Sequence, residues 1–125
     1  MEGKALTFAI KANLDLRNTL GENIADNGGL KAAYLAYFGK DEELKHQYPI
    51  ANLNFTSEQL FFISFGQVWC SHNSLEYEVN KMKTNTHPPS SSRVMATLSN
   101  SREFSQAFQC PEHSKLNPEN KCSVW

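Results

Sequence analysis

Thr56-Ser57-Glu58-Gln59 has the form of a capping box, and the residues after it place Leu60, Phe61, Phe62, Ile63, Phe65, Val68 and Trp69 over nearly the whole circumference of a helix. A helix that is apolar on every side must be wrapped by other elements. The pattern predicts a deeply buried helix running to about Cys70, with the rest of the chain arranged around it. The other segments also read as helical. Leu20, Ile24, Leu30, Ala33, Tyr34, Tyr37 and Phe38 recur at helical spacing, although Asn27-Gly28-Gly29 is locally a helix-end signal because each Gly costs about 1 kcal/mol relative to Ala. Gly39, the charged Lys40 to His46 stretch and Pro49 predict a helix end and a solvated loop. Leu75, Val79 and Met82 suggest a short helix. Asn100-Ser101-Arg102-Glu103 reads as a second capping box, followed by Phe104, Ala107 and Phe108 on a short amphipathic helix ending near Cys110, and then a Pro- and Asn-rich tail. The fold class expected is mainly α.

At 125 residues the chain is one domain at most, and 40% hydrophobic residues with eight Phe argue for a folded core. The formal charge is -1 and the twelve Lys and Arg are scattered, which argues against nucleic acid as a partner. The longest apolar run, Leu60 to Ile63, is too short to cross a bilayer. The Ala5 to Ile10 stretch is broken by Thr7 and closed by Lys11, so neither a transmembrane helix nor a signal peptide is expected. Cys70, Cys110 and Cys122 are an odd number with no short spacing. They read either as buried free thiols in a reducing compartment or as partners of cysteines outside this sequence. The sequon Asn54-Phe55-Thr56 favours the second reading. A secreted-type chain without an export signal reads as incomplete.

Glu22 and Asp26 stand four residues apart, so a helix projects both carboxylates from one face, and Gly29 and Ala33 continue that face. Two acids followed by two small residues suit the close approach of another helix with a cation held between them. The same spacing also suits a solvated acidic first turn. His87, in Lys83-Thr84-Asn85-Thr86-His87-Pro88-Pro89, is by itself an ordinary loop histidine.

As a word, Thr19-Leu20-Gly21-Glu22-Asn23-Ile24-Ala25-Asp26-Asn27-Gly28-Gly29 resembles the second metal motif of the neprilysin and endothelin-converting-enzyme family of zinc metalloendopeptidases. The resemblance implies that Glu22 is the third protein ligand of a catalytic zinc and that Asp26 orients a zinc-binding histidine. Two imidazoles and a carboxylate leave the fourth zinc position for water, and an outer carboxylate fixes the tautomer of a ligand histidine. It also implies one helix through Asn27-Gly28-Gly29, where glycine admits the metal-binding helix. Phe61-Phe62-x-x-Phe65-x-Gln67-Val68-Trp69-Cys70 is similar to the family segment that walls a hydrophobic pocket for the substrate residue after the cleaved bond, which implies that role for Val68 and Trp69. A His followed six residues later by an Arg is matched by His87 and Arg93. The His then stabilises the tetrahedral intermediate, as preplaced donors do in an oxyanion site, and the Arg binds a substrate carbonyl. The terminal Cys122-Ser123-Val124-Trp125 is similar to the family's own C-terminus, and the family pairs the equivalents of Cys70, Cys110 and Cys122 with cysteines earlier in the ectodomain.

The sequence departs from the family at Asn85, where the family has an Asp; an Asn accepts a hydrogen bond from the imidazole but supplies no charge to keep it protonated. His46, His72, His87 and His113 include no pair four residues apart, so the H-E-x-x-H motif that supplies two zinc ligands and the general base is absent. The resemblance covers residues 19–125 and leaves 1–18 uninterpreted. It implies the C-terminal helical portion of a thermolysin-like, gluzincin catalytic domain, incomplete as written and inactive alone. The implied parent is a hydrolase cleaving peptides with Zn2+, glycosylated at Asn54. It is extracellular, as the ectodomain of a membrane-anchored or secreted protein, and its partners are peptides and the preceding part of the same protein. The alternative is a noncatalytic extracellular helical module that binds peptides or a partner chain. The 125 residues alone are expected to expose surfaces made for that preceding part, with poor solubility or oligomerisation as the result.

Overall fold

A computed structural model of the chain describes residues 16–85 and 87–124. Most of the uninterpreted N-terminal stretch, Thr86 and the terminal Trp125 lie outside the described residues, as do the side chains of Val79 and Met82. Among the described residues there are six helices and no strand, only an isolated bridge between Ser114 and Asn117.

Helix α1 (Leu16–Phe38) runs unbroken through Asn27-Gly28-Gly29. Packing decides this. Leu30, Tyr34 and Phe38 repeat at i+4 and are buried, each contributing roughly 1.5–3 kcal/mol, against about 1 kcal/mol lost at each glycine. Asn27, a residue that often ends helices, turns its amide back onto the Asn23 carbonyl at 2.7 Å. Gly39 stops the helix: its N–H donates to the Leu35 carbonyl at 2.9 Å, and a Cβ on it would collide with that same carbonyl.

The Lys40 to His46 stretch, expected to be a solvated loop, contains a single helical turn, α2 (Glu42–Lys45). Asp41 caps it by accepting from the Glu43 and Leu44 N–H groups at 3.0 and 3.3 Å, and Leu44 packs on the core. Helix α3 (Ser57–Val68) opens on the predicted capping box with both arms made, Gln59 N to Thr56 Oγ1 at 3.2 Å and Thr56 N to Gln59 Oε1 at 3.1 Å. Its expected deep burial is not observed. Phe62 is buried, Phe61 and Phe65 are half-buried against the core, and Val68 is 76% exposed. The reason is that α3 packs on α2 on one side and on the last helix on the other, which leaves part of its apolar circumference uncovered.

Helix α4 (Leu75–Thr84) is capped by Ser74, whose Oγ accepts from Tyr77 N at 3.2 Å. Helix α5 (Ser90–Asn100) was not legible in the sequence, because its inner face is built from Ser92 and Thr97 as well as Leu98 and the half-buried Val94. Helix α6 (Arg102–Ala107) follows after one residue. Its cap is Ser101 rather than Asn100, one position later than the sequence suggested: Ser101 Oγ accepts from Phe104 N and donates to Glu103 Oε2, both at 3.0 Å. The Ser101 N–H also closes α5 on the Leu98 carbonyl at 3.1 Å.

The core is Leu30, Tyr34 and Phe38 of α1 against Phe62 of α3, Leu98 of α5 and Phe104 of α6. Phe62 meets Phe104 edge-on at 5.4 Å and lies along Tyr34 at 5.7 Å. The Tyr34 hydroxyl donates to Glu58, and burial together with that bond pushes its pKa up to about 12. The tail is strapped to the helices. Lys121 Nζ donates to the Ser99 carbonyl at 2.7 Å and to Ser105 Oγ at 2.9 Å, and burial lowers its pKa. Cys122 N donates to Asn100 Oδ1 at 3.0 Å, while Asn100 Nδ2 donates to Asn27 Oδ1 on α1, also at 3.0 Å.

Candidate active site

The pairing of α1 with α5 sets one turn of each helix face to face. The α1 turn presents Glu22 and Asp26 on the same side, as their spacing requires. Arg93 lies in the first turn of α5, held by its own N–H to the Pro89 carbonyl at 3.0 Å. The guanidinium grips Asp26 through two bonds, Nε to Oδ2 at 2.6 Å and Nη2 to Oδ1 at 2.5 Å, and Nη2 also donates to Glu22 Oε2 at 3.1 Å. Such a planar fork on a carboxylate is a geometry that Arg alone offers among side chains. The Asp26 and Arg93 side chains are 8% and 11% exposed, so neither charge could be buried there without the other. The bond to Asp26 holds the Arg93 pKa above its ordinary value.

The second layer comes from α3 and from the connection into α5. Trp69, the residue that caps α3, lays its ring under the guanidinium with Arg93 Cζ 4.0 Å from the ring centroid. Its indole Nε1 is buried without a hydrogen-bond partner. His87 places Nε2 3.4 Å from Glu22 Oε1. Asn85 Oδ1 accepts the His87 backbone N–H at 3.0 Å and lies 2.8 Å from Nδ1 of the same residue. A backbone N–H can only donate, so that Asn85 atom is the amide oxygen, and Nδ1 must carry hydrogen to meet it. The hydrogen bond expected of Asn85 is therefore made. In charge, Arg93 cancels Asp26 and leaves one formal negative charge on Glu22, whose side chain is 34% exposed.

Five of the residues singled out in the sequence, Glu22, Asp26, Trp69, His87 and Arg93, thus meet in one place, although Glu22 and Arg93 are separated by 71 positions. Val68 faces solvent beside Trp69. Asn54 is exposed; Cys70 and Cys122 are exposed thiols and Cys110 is a half-buried one. Gly29 and Ala33 lie on an exposed side of α1, with nothing within 4 Å of a Cβ built on Gly29. Two features were missed in the sequence, the stacking of Trp69 on Arg93 and the Asn27 to Asn100 bond beside Asp26. The signals for α5 were Pro88-Pro89 ahead of a serine run, which is a helix start, and the single i+4 pair Val94 and Leu98. Among the described residues no three His, Cys, Asp or Glu stand close enough to hold a metal ion. Zinc in the arrangement implied by the resemblance would need ligands beyond this set.

The profile of peptidase family M13 matches residues 4–124. Among curated proteins the chain is 49% identical to neprilysin of Oryctolagus cuniculus over 108 residues, which is 86% of this chain and 14% of that protein. It is 50% identical over 109 residues to an endothelin-converting enzyme homolog of Locusta migratoria, covering 87% of this chain and 15% of that one. It is 51% identical over 109 residues to endothelin-converting enzyme 1 of Cavia porcellus, covering 87% and 14%. The chain spans about one-seventh of the length of the relatives it matches. With its mainly helical architecture and a family match along almost its whole length, the chain belongs to peptidase family M13.

Proposed function

We propose that this chain supplies the carboxylate and transition-state side of a zinc metalloendopeptidase centre, whose metal-binding histidines and general base come from the H-E-x-x-H segment that residues 1–125 lack. The observation that carries the reading is the convergence of Glu22, Asp26, His87 and Arg93 from two helices and a loop distant in sequence. A solvated acidic turn needs no buried arginine fork and no histidine facing it. Glu22, the more exposed of the two carboxylates and the one left with formal charge, is the zinc ligand in this reading. Asp26, fixed on both oxygens by Arg93, orients a ligand imidazole. Zinc, when bound, supplies an activated water for attack on a peptide carbonyl.

His87 donates to the oxygen on which negative charge develops, and Arg93 holds a substrate backbone carbonyl. Three of the five Arg93 N–H groups are taken by the two carboxylates, so the carbonyl falls to Nη1. Val68 and Trp69 wall the pocket for the substrate residue after the cleaved bond. The open side of α1 at Gly29 and Ala33 receives the metal-binding helix. Residues 19–125 form part of a catalytic domain, extracellular, with a glycan on the exposed Asn54 and with Cys70, Cys110 and Cys122 bonded to the preceding segment. The 125 residues by themselves are inactive. No helix among the described residues is long and apolar enough to cross a membrane.

The test is a chimera in which this chain replaces the matching C-terminal segment of rabbit neprilysin. Zinc content and peptide cleavage are expected in the chimera, and Glu22→Gln should lose both. A folded chimera that holds zinc and cleaves nothing, or a Glu22→Gln form as active as its parent, would overturn the proposal and leave a noncatalytic binding module as the better reading.

A further inference from the structure

The Trp69 ring meets Arg93 in a way that a pocket wall does not require. A buried indole N–H ordinarily finds an acceptor, and one left without costs stability. Trp69 Nε1 is buried with none, so the ring is not held there by a hydrogen bond. What its position does secure is the contact of its face with the guanidinium, 4.0 Å from Cζ to the ring centroid. Asp26 and Glu22 hold the same guanidinium by its Nε and Nη2 edge. Edge bonds fix two ends of a planar group but leave it free to rock about the line joining them. A flat surface beneath the plane removes that motion. Trp69 is well placed to be such a surface, because its backbone is fixed by the end of α3, its N–H donating to the Gly66 carbonyl at 3.2 Å.

We propose that Trp69 is a positioning residue: it clamps the face of Arg93 so that the arginine keeps its fork on Asp26 and points Nη1 in one fixed direction. The inference deepens the reading given above and rests on it for what Nη1 meets, whereas the clamp itself concerns only residues of this chain. Trp69, at the end of α3, and Arg93, in the first turn of α5, are 24 positions apart, so the contact is tertiary.

The experiment is side-chain NMR on the monomeric fraction of the 15N-labelled 125-residue chain, kept dilute because its exposed apolar surface favours association. Only Arg17, Arg93 and Arg102 contribute Nε–H signals, and Arg93→Lys assigns the one of interest. In the wild-type chain the Arg93 Nε–H is expected to exchange slowly with water, and its shift sums two opposed effects, the 2.6 Å bond to Asp26 moving it downfield and the indole face adding an upfield shift that is read from its loss when Trp69 is replaced. Trp69→Phe should keep the upfield shift in part. Trp69→Leu should abolish it and speed exchange about tenfold, with the core amide signals unmoved. An Arg93 signal of unchanged shift and exchange in folded Trp69→Leu would overturn the proposal. If Trp69→Leu does not fold, the contact is read from the other side by fluorotryptophan labelling, with Trp125→Phe assigning the Trp69 signal. Arg93→Lys, which keeps the charge and loses the plane, should then move the Trp69 19F resonance, and an unmoved resonance would overturn the clamp. No readout uses zinc or substrate, so failure of the clamp and failure of the catalytic reading are separately visible.

Discussion

Asp26 and Arg93 depend on each other for burial, and that dependence has a measurable size. Removing one member of such a pair leaves an uncompensated buried charge, so Arg93→Met should destabilise the chain by about 3–5 kcal/mol in urea unfolding. Arg93→Lys should recover only part of this, since an ammonium cannot form the fork on both Asp26 oxygens. Tyr34 gives a different signature. Its pKa of about 12 in the fold lies above the ordinary value of 10.0, so folding favours the protonated phenol. Its contribution is fully present below pH 10 and is lost as pH rises from there through about 12. Melts of the wild type should fall faster over that window than those of Tyr34→Phe, and parallel curves would contradict the assignment. At Asn85 the amide oxygen meets Nδ1 of His87 but brings no charge. In the complete enzyme Asn85→Asp should therefore raise the rate, and equal rates from pH 6 to 9 would show that charge there is immaterial.

The helices show where sequence patterns suffice and where they do not. The Thr56 and Gln59 capping box was legible because both its arms are local, and the i+4 repeat of Leu30, Tyr34 and Phe38 was legible because it is one stripe on one helix. Helix α5 was not, since its inward apolar residues, Val94 and Leu98, form just one i+4 pair set beside the buried Ser92 and Thr97, a shorter signal than the stripe of α1. The one-residue shift in the cap of α6 arose because Ser101 and Asn100 are both good caps, and Asn100 is already spent on Asn27 and Cys122. In the site, the carboxylate spacing could be read directly. Their partner could not be read from spacing, because an arginine 67 positions beyond Asp26 leaves no local trace. Gly29 offers a test at this scale. In the isolated chain nothing stands within 4 Å of an added Cβ, so Gly29→Ala should stabilise it by about 1 kcal/mol. In a protein whose metal-binding helix lies on that glycine, the same change should cost activity. A loss of stability in the isolated chain would show that α1 already needs its glycine there.

For the molecule as a whole, among the described residues Phe38 and Phe62 are almost fully enclosed, while Leu20, Leu35, Tyr37, Val68 and Leu75 are each more than half exposed. A chain with so much uncovered apolar surface should self-associate, and light scattering of the purified protein is expected to show oligomers or aggregates. A monodisperse monomer with a cooperative melt would instead favour an independent module. The tail straps have a further consequence. Cys122, Asn100 and Asn27 are joined in series, and Asn27 is the next residue after Asp26. One amide therefore serves as a splice between the end of the polypeptide and the carboxylate turn of α1. A tail that slips its moorings loosens Asn100, and the next link in the series, Asn27, stands one peptide bond from the acid that Arg93 grips.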